Sequence, residues 1–215
     1  MKRNSLLNLT LILFFMLACM SLPALAQTAT KSTLTDEERK AAATYLEETR
    51  KKFLDSVQGL SEAQWKFKPA PDRWSVAEVA EHIAVSEETI LGLITQQIMK
   101  APAAAPEKRE AVKGKEQMVR KMITDRSQKA QAPEMLKPTN RWATQADLIK
   151  DFQSRRDNTI KYVLTTQDEL HSHITPHPIF KDLDAYQWVF LLSGHSERHT
   201  DQIKEVMADP NFPKK

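Results

Sequence analysis

The stretch DAYQWVFLLSGHSERHTDQIKEVMADP, Asp184 to Pro210, reads as one long amphipathic helix that stops before a proline. At about 100° per residue, Trp188, Leu192, Ile203 and Val206 share one apolar face, and His195 and His199 fall on that face with them. A helix with a buried stripe needs partners of similar length. The fold therefore depends on whether the rest of the chain supplies them.

It supplies three. A first helix is expected from Thr35, whose hydroxyl caps while Glu38 closes a capping box, with Ala42, Tyr45, Leu46, Thr49, Phe53, Val57 and Leu60 on one stripe. Gly59 is a stop signal, and Pro69 and Pro71 forbid helix before Ser75 and Glu78 open a second one, with Val76, Val79, Ile83, Ile90, Ile94 and Ile98 inward. The third runs from about Thr144 to Thr165, with Leu148, Phe152, Ile160, Val163 and Leu164 inward. The chain has only four glycines and no stretch that alternates convincingly as a strand, so the expected class is all-α. A four-helix bundle with a long crossover, residues 100–141, between its second and third helices is the economical architecture. The crossover is rich in Pro and Ala around a short helix from Lys115 to Arg126, and holds eleven Lys and Arg against five Asp and Glu. It reads as a solvated basic loop, with contact to anionic lipid or cell-wall polymer as the alternative.

The chain opens MKRNSLLNLTLILFFMLACMSLPALAQ: two basic residues, an apolar run from Leu6 to Leu22, and Ala24-Leu25-Ala26 after Pro23. This is the form of a cleavable secretory signal, which makes the expected protein exported, periplasmic or secreted, beginning at Gln27. An uncleaved anchor, or a lipid on Cys19, is the lesser alternative. The expected plan is a signal peptide at 1–26, a short lead at 27–34, the bundle at 35–209 and a tail at 210–215. Cleavage removes Cys19, the chain's one cysteine, so no disulfide within the chain and no thiol nucleophile remain. It also removes Lys2 and Arg3, leaving 29 basic against 28 acidic residues in the 189 that follow residue 26. That balance excludes a global field for nucleic acid, and no stable membrane span is expected after cleavage.

His82 lies between Val79 and Ile83 on the second stripe, so it points inward like His195 and His199. An inward histidine costs free energy unless its ring nitrogens find partners. The HxxxH pair alone is a loose pattern, at home as two satisfied core histidines. A third inward histidine on another helix turns the reading toward one metal ion held by three imidazoles with positions left open. A zinc protease of the HExxH type is excluded, because Glu197 is two residues after His195 and projects about 200° away from it. His171, His173 and His177 sit beside Pro176 and Pro178 in what reads as a structural or solvent-facing loop. Glu78, Ser86 and Gln202 are on faces compatible with supporting or packing roles around the three histidines. Arg155 and Arg156 interrupt the third stripe, where a bundle carboxylate such as Glu78 or Glu87 is the simple partner. Trp65, Trp74, Trp142 and Trp188 read as core packing. No residue presents itself as a general base.

GLSEAQWKFKPAPDRWSVAEVAEHIAVSE, APEMLKPTNRWATQADLIKDFQSRRDNTIKYV and HPIFKDLDAYQWVFLLSGHSERHTDQI resemble successive blocks of the DinB-like family, the DinB/YfiT-like metalloenzymes, which are unrelated to the DNA polymerase of similar name. The likeness runs from about Thr35 to Val206. It implies a four-helix bundle holding a divalent ion, nickel or zinc, through one histidine of the second helix and an HxxxH pair of the last, here His82, His195 and His199. It implies a metal-dependent hydrolase or thiol-type transferase acting on a small molecule, with a homodimer as the common assembly. The competing class is a non-catalytic bundle in which the ion clamps two helices. Export disfavours the thiol version, because low-molecular-weight thiol cofactors are cytoplasmic; hydrolysis fits the compartment better.

Overall fold

The computed structural model describes residues 33–127 and 131–214, which belong to one compact unit; the expected signal peptide, its cleavage pattern and Cys19 lie outside the described residues. The bundle is built from α1 (Asp36–Val57), α3 (Val76–Gln96), α6 (Gln145–Thr165) and α7 (Ala185–Met207). Short helices α2 (Glu62–Lys66), α4 (Pro106–Val112) and α5 (Glu116–Thr124) occupy the connections. Among the described residues, no helix is long and apolar enough to cross a membrane.

The ends of the long helices follow from local chemistry. Thr35 with Glu38, Ser75 with Glu78 and Asp184 with Gln187 form reciprocal capping boxes, which satisfy amide groups that have no carbonyl one turn back. Gly59, at φ 69°, takes the left-handed conformation just beyond α1. The expected stripes are buried on α1, α3 and α7, except that Leu60 lies beyond the end of α1 and is half-buried. On α6 one position departs: Leu164 is 47% exposed, because its neighbour Val163 already takes the inward direction and the next position is rotated by about 100°.

Extensive contacts join α1 to α7, α7 to α3, α3 to α6 and α6 to α1. Helices consecutive in the bundle, α1 and α3 or α6 and α7, thus face each other across a diagonal, and the chain between them must cross an end of the bundle. The first crossing contains α2, a short helix between the Gly59 stop and Pro69; Ser61 caps it and Gln64 closes the box. The second contains a two-stranded antiparallel hairpin, β1 (Ile174–His177) and β2 (Lys181–Asp184), where no strand was expected. Four residues per strand are too few for alternation to register in the sequence, and Pro176 sits inside the pairing.

The crossover from α3 to α6 also differs from a solvated loop. Val112 and Val119 are buried, the Gln187 side chain donates to the Val112 carbonyl at 2.6 Å, and α5 packs along α7. That packing needs Gly194: a Cβ there would stand 2.3 Å from Ile123 Cγ2.

The core divides into two apolar clusters, one around Leu46, Ile94, Val163 and Leu192, the other around Phe53, Ile83, Phe152 and Ile203. Between them on the four long helices lie Thr49, Glu87, Arg156, Thr159 and Ser196, all buried. The inward histidines sit beside this polar layer, on α3 and α7.

Candidate metal centre

α3 and α7 form one of the bundle's extensive interfaces, and His82 meets His195 and His199 across it. His82 Nε2 lies 3.2 Å from His195 Nε2 and 3.2 Å from His199 Nε2. Among the described residues, the three offer ligand atoms all within 4.8 Å of one another. His82 is 2% exposed, whereas His195 and His199 keep part of their surface accessible. The triad is therefore closed on the α3 side, and what exposure it keeps is on the α7 side. The indole of Trp74, 5.1 Å from the His82 ring between centroids, adds to the enclosure.

The remaining ring nitrogens explain which atoms face inward. His82 Nδ1 is 2.8 Å from the Leu136 carbonyl oxygen, and His199 Nδ1 is 2.8 Å from Gln202 Oε1. A carbonyl oxygen only accepts, so in both neutral rings the proton sits on Nδ1 and the Nε2 lone pair is bare. Two bare lone pairs at 3.2 Å repel unless a cation lies between them. Burial, the main cause, lowers the proton affinity of all three rings. His195 falls well below the usual histidine range, with repulsion from His199 and His82 adding to desolvation. His199 falls to about 3, burial and His82 outweighing the hydrogen bond to Gln202. For His82, burial lowers the value against the opposing pull of Leu136. The rings are neutral donors near neutral pH, the form a metal requires.

The spacing fits an ion. Two nitrogens each about 2.1 Å from one metal are about 3.4 Å apart at a tetrahedral angle and about 3.0 Å apart at a right angle. Both 3.2 Å separations fall between these limits.

Other residues singled out in the sequence stand elsewhere. Glu197 bonds to Tyr45 at 2.8 Å and pairs with Lys52, in keeping with its outward projection from the triad. Glu78 closes the Ser75 cap and pairs with Lys68. Ser86 Oγ, one turn after His82, is buried and finds no hydrogen-bond partner among the described residues. Arg156 finds Glu87, the simple carboxylate partner, while Arg155 pairs with Asp151 and Glu88. His171 lies between Asp184 and Glu38, His173 bonds to the Ala101 carbonyl, and His177 accepts the amides of Ile179 and Phe180 in the hairpin turn. These are structural contacts. Trp65 and Trp188 are buried, and Trp74 and Trp142 pack against the second cluster. Sequence reasoning missed Leu136, because a backbone carbonyl leaves no mark in residue identity.

The chain is 24% identical over 159 residues to the uncharacterized protein YuaE of Bacillus subtilis strain 168, covering 74% of this chain and 93% of the relative. A solved structure of YfiT from Bacillus subtilis, described as a probable metal-dependent hydrolase with an unusual four-helix bundle topology, superposes with a TM-score of 0.49 at 17% identity, covering 85% of this chain and 93% of that one. The profile of the DinB superfamily matches residues 45–203, from the middle of α1 to the end of the triad helix, and the chain belongs to that superfamily.

Proposed function

We propose that His82, His195 and His199 hold one divalent cation and that the protein is an exported metal-dependent enzyme acting on a small molecule, with hydrolysis as its reaction class. The observation that carries this is the pair of Nδ1–H donors to Leu136 and Gln202, which leaves two Nε2 lone pairs opposed at 3.2 Å. Three neutral imidazoles favour zinc or nickel over the harder magnesium or calcium. An ion bound there supplies Lewis acidity, polarising an oxygen of a substrate and stabilising negative charge that develops on it. The protein's own contribution is positional. Leu136 and Gln202 fix two rings, α3 shuts out solvent behind His82, and His195 and His199 are the two members of the triad that keep partial exposure.

Hydrolysis is preferred to thiol transfer because the chain beyond residue 26 carries no cysteine and an exported protein meets no cytoplasmic thiol pool. Homodimerisation belongs to the same proposal. A second reading, an ion that only clamps α3 to α7, draws on the extensive interface the triad already spans and on a ligand group that, among the described residues, holds no carboxylate.

Cobalt-loaded protein separates the two. An open site changes its ligand-field spectrum when azide, acetate or a small thiol is added, and the loaded protein turns over activated esters or amides. A spectrum indifferent to every small ligand, with no turnover, would leave the clamp. Terminal sequencing of exported protein tests the compartment: a start at Gln27 supports it, and retention of residues 1–26 in the cytoplasm refutes it.

A further inference from the structure

The neighbour of His82 on α3, Glu81, is a buried carboxylate with a task outside its own helix. Its side chain is 5% exposed, and its oxygens accept the backbone N–H groups of three successive crossover residues: Thr139 at 2.7 Å, Asn140 at 3.0 Å and Arg141 at 3.3 Å. Outside a helix N-terminus, adjacent amides converge on one anion where the backbone between them reverses its hand. Asn140 does this, at φ 61°. The same segment closes on itself, because Arg141 Nη2 donates to the Met135 carbonyl at 3.1 Å. The next carbonyl along, that of Leu136, is the one that holds His82 Nδ1.

We propose that residues 134–141 are a strap belonging to the metal centre and that Glu81 is its positioning residue. Glu81 fastens the strap to α3, the fastened strap presents the Leu136 carbonyl, and that carbonyl keeps the His82 proton on Nδ1, so that Nε2 faces the other two imidazoles. This assigns a role to the part of the crossover that reads from sequence as a solvated loop. It rests on the reading of the triad as a cation site, and a buried charge that accepts three amides and stands outside the group of ligand atoms is what a positioning role requires.

Removing the carboxylate leaves three amides without their acceptor and frees the strap. Glu81→Ala is therefore expected to weaken cobalt binding about ten- to a hundredfold, the usual range for losing a partner that orients a ligand histidine. Glu81→Gln, which keeps one carbonyl oxygen for Thr139, falls between. Asn140 lies on the exposed side of the strap, so it can be changed without disturbing the bundle. Asn140→Val, a β-branched residue forced to positive φ, should weaken cobalt binding in the same direction, and Asn140→Gly should not.

Imidazole nitrogen and proton resonances of metal-free protein give a second readout. Wild type shows the His82 ring with its proton on Nδ1 and protected from exchange; Glu81→Ala and Asn140→Val lose that signature, while His199, held by Gln202, keeps its own. Unchanged cobalt affinity and an unchanged His82 signature in both variants would overturn the proposal. If wild type binds no cobalt, the metal reading fails by itself, and the His82 signature alone then decides whether the strap positions the ring.

Discussion

Two buried polar assemblies lie side by side in this bundle, and they are finished in opposite ways. Arg156 is fully buried, and its guanidinium makes five contacts: Nε to Glu87 at 2.9 Å, Nη2 to Glu87 and to Ser196 at 2.7 Å each, and Nη1 to the Leu46 carbonyl and to Thr49 at 2.7 Å each. Thr159 donates to the same carboxylate at 2.7 Å. All four long helices contribute, donors meet acceptors, and the charge is neutralised. Ser196, which closes one corner, is directly followed by Glu197 and directly preceded by His195 on α7, where the second assembly begins. There the inward atoms are three imidazole nitrogens, and those of His82 and His199 face each other at 3.2 Å with both ring protons already engaged on Nδ1. A buried polar group completed by its neighbours holds a fold; one whose lone pairs converge on a single point is arranged for something from outside.

The sharpest way to break that contrast is to open the closed assembly. Arg156→Ala should destabilise the protein by about 3–5 kcal/mol in chemical denaturation, because Glu87 is left buried and unpaired. Arg156→Met combined with Glu87→Leu should recover much of the loss, since both charges leave together. Equal losses in the single and double variants would mean that the network is not a paired unit. The histidines predict a different pattern. A metal at a hundred times its dissociation constant should add about 2.7 kcal/mol of stability to wild type, and His82→Ala, His195→Ala or His199→Ala should abolish that increment. His171→Ala, His173→Ala and His177→Ala should keep it, as thermal melts with and without zinc would show.

What could be read from the sequence, and what could not, follows the range of the interactions. The caps at Thr35 and Ser75 are spelled within four residues, and helical period alone put His82, His195 and His199 on inward faces. Arg156 was legible as a charge seeking a bundle carboxylate. The hairpin escaped because strands of four residues are shorter than the pattern that identifies them, and Leu164 because an apolar residue near a stripe's edge can face either way. The strap escaped for a deeper reason. Glu81 binds backbone amides 58 to 60 residues away, and His82 binds a backbone carbonyl 54 residues away, so neither partner has a side-chain identity that a single sequence displays.

Smaller effects refine the account. Gly194→Ala drives a methyl group into Ile123, so α5 must shift off α7; a loss of about 1–3 kcal/mol is expected, with cooperative unfolding retained. Stability unaffected by this change would show that α5 rests loosely beside the triad helix. The smallest expected effect concerns His171. Burial alone would lower its proton affinity, but the hydrogen bond and charge of Asp184, aided by Glu38 and Glu116, outweigh burial and raise it. A raised folded value means that the contribution is fully present below the ordinary imidazole value of about 6.5 and fades as pH rises through the folded one. The stability difference between wild type and His171→Gln should therefore be largest near pH 5 and shrink toward pH 9. A difference that grows with pH would reverse the assignment.

Anomalous diffraction from crystals grown with zinc, recorded on either side of the metal's absorption edge, tests the central claim most directly. A single peak is predicted between α3 and α7, about 2.1 Å from the Nε2 atoms of His82, His195 and His199. A map without a peak there, or with its strongest peak at His171, His173 or His177, would contradict it.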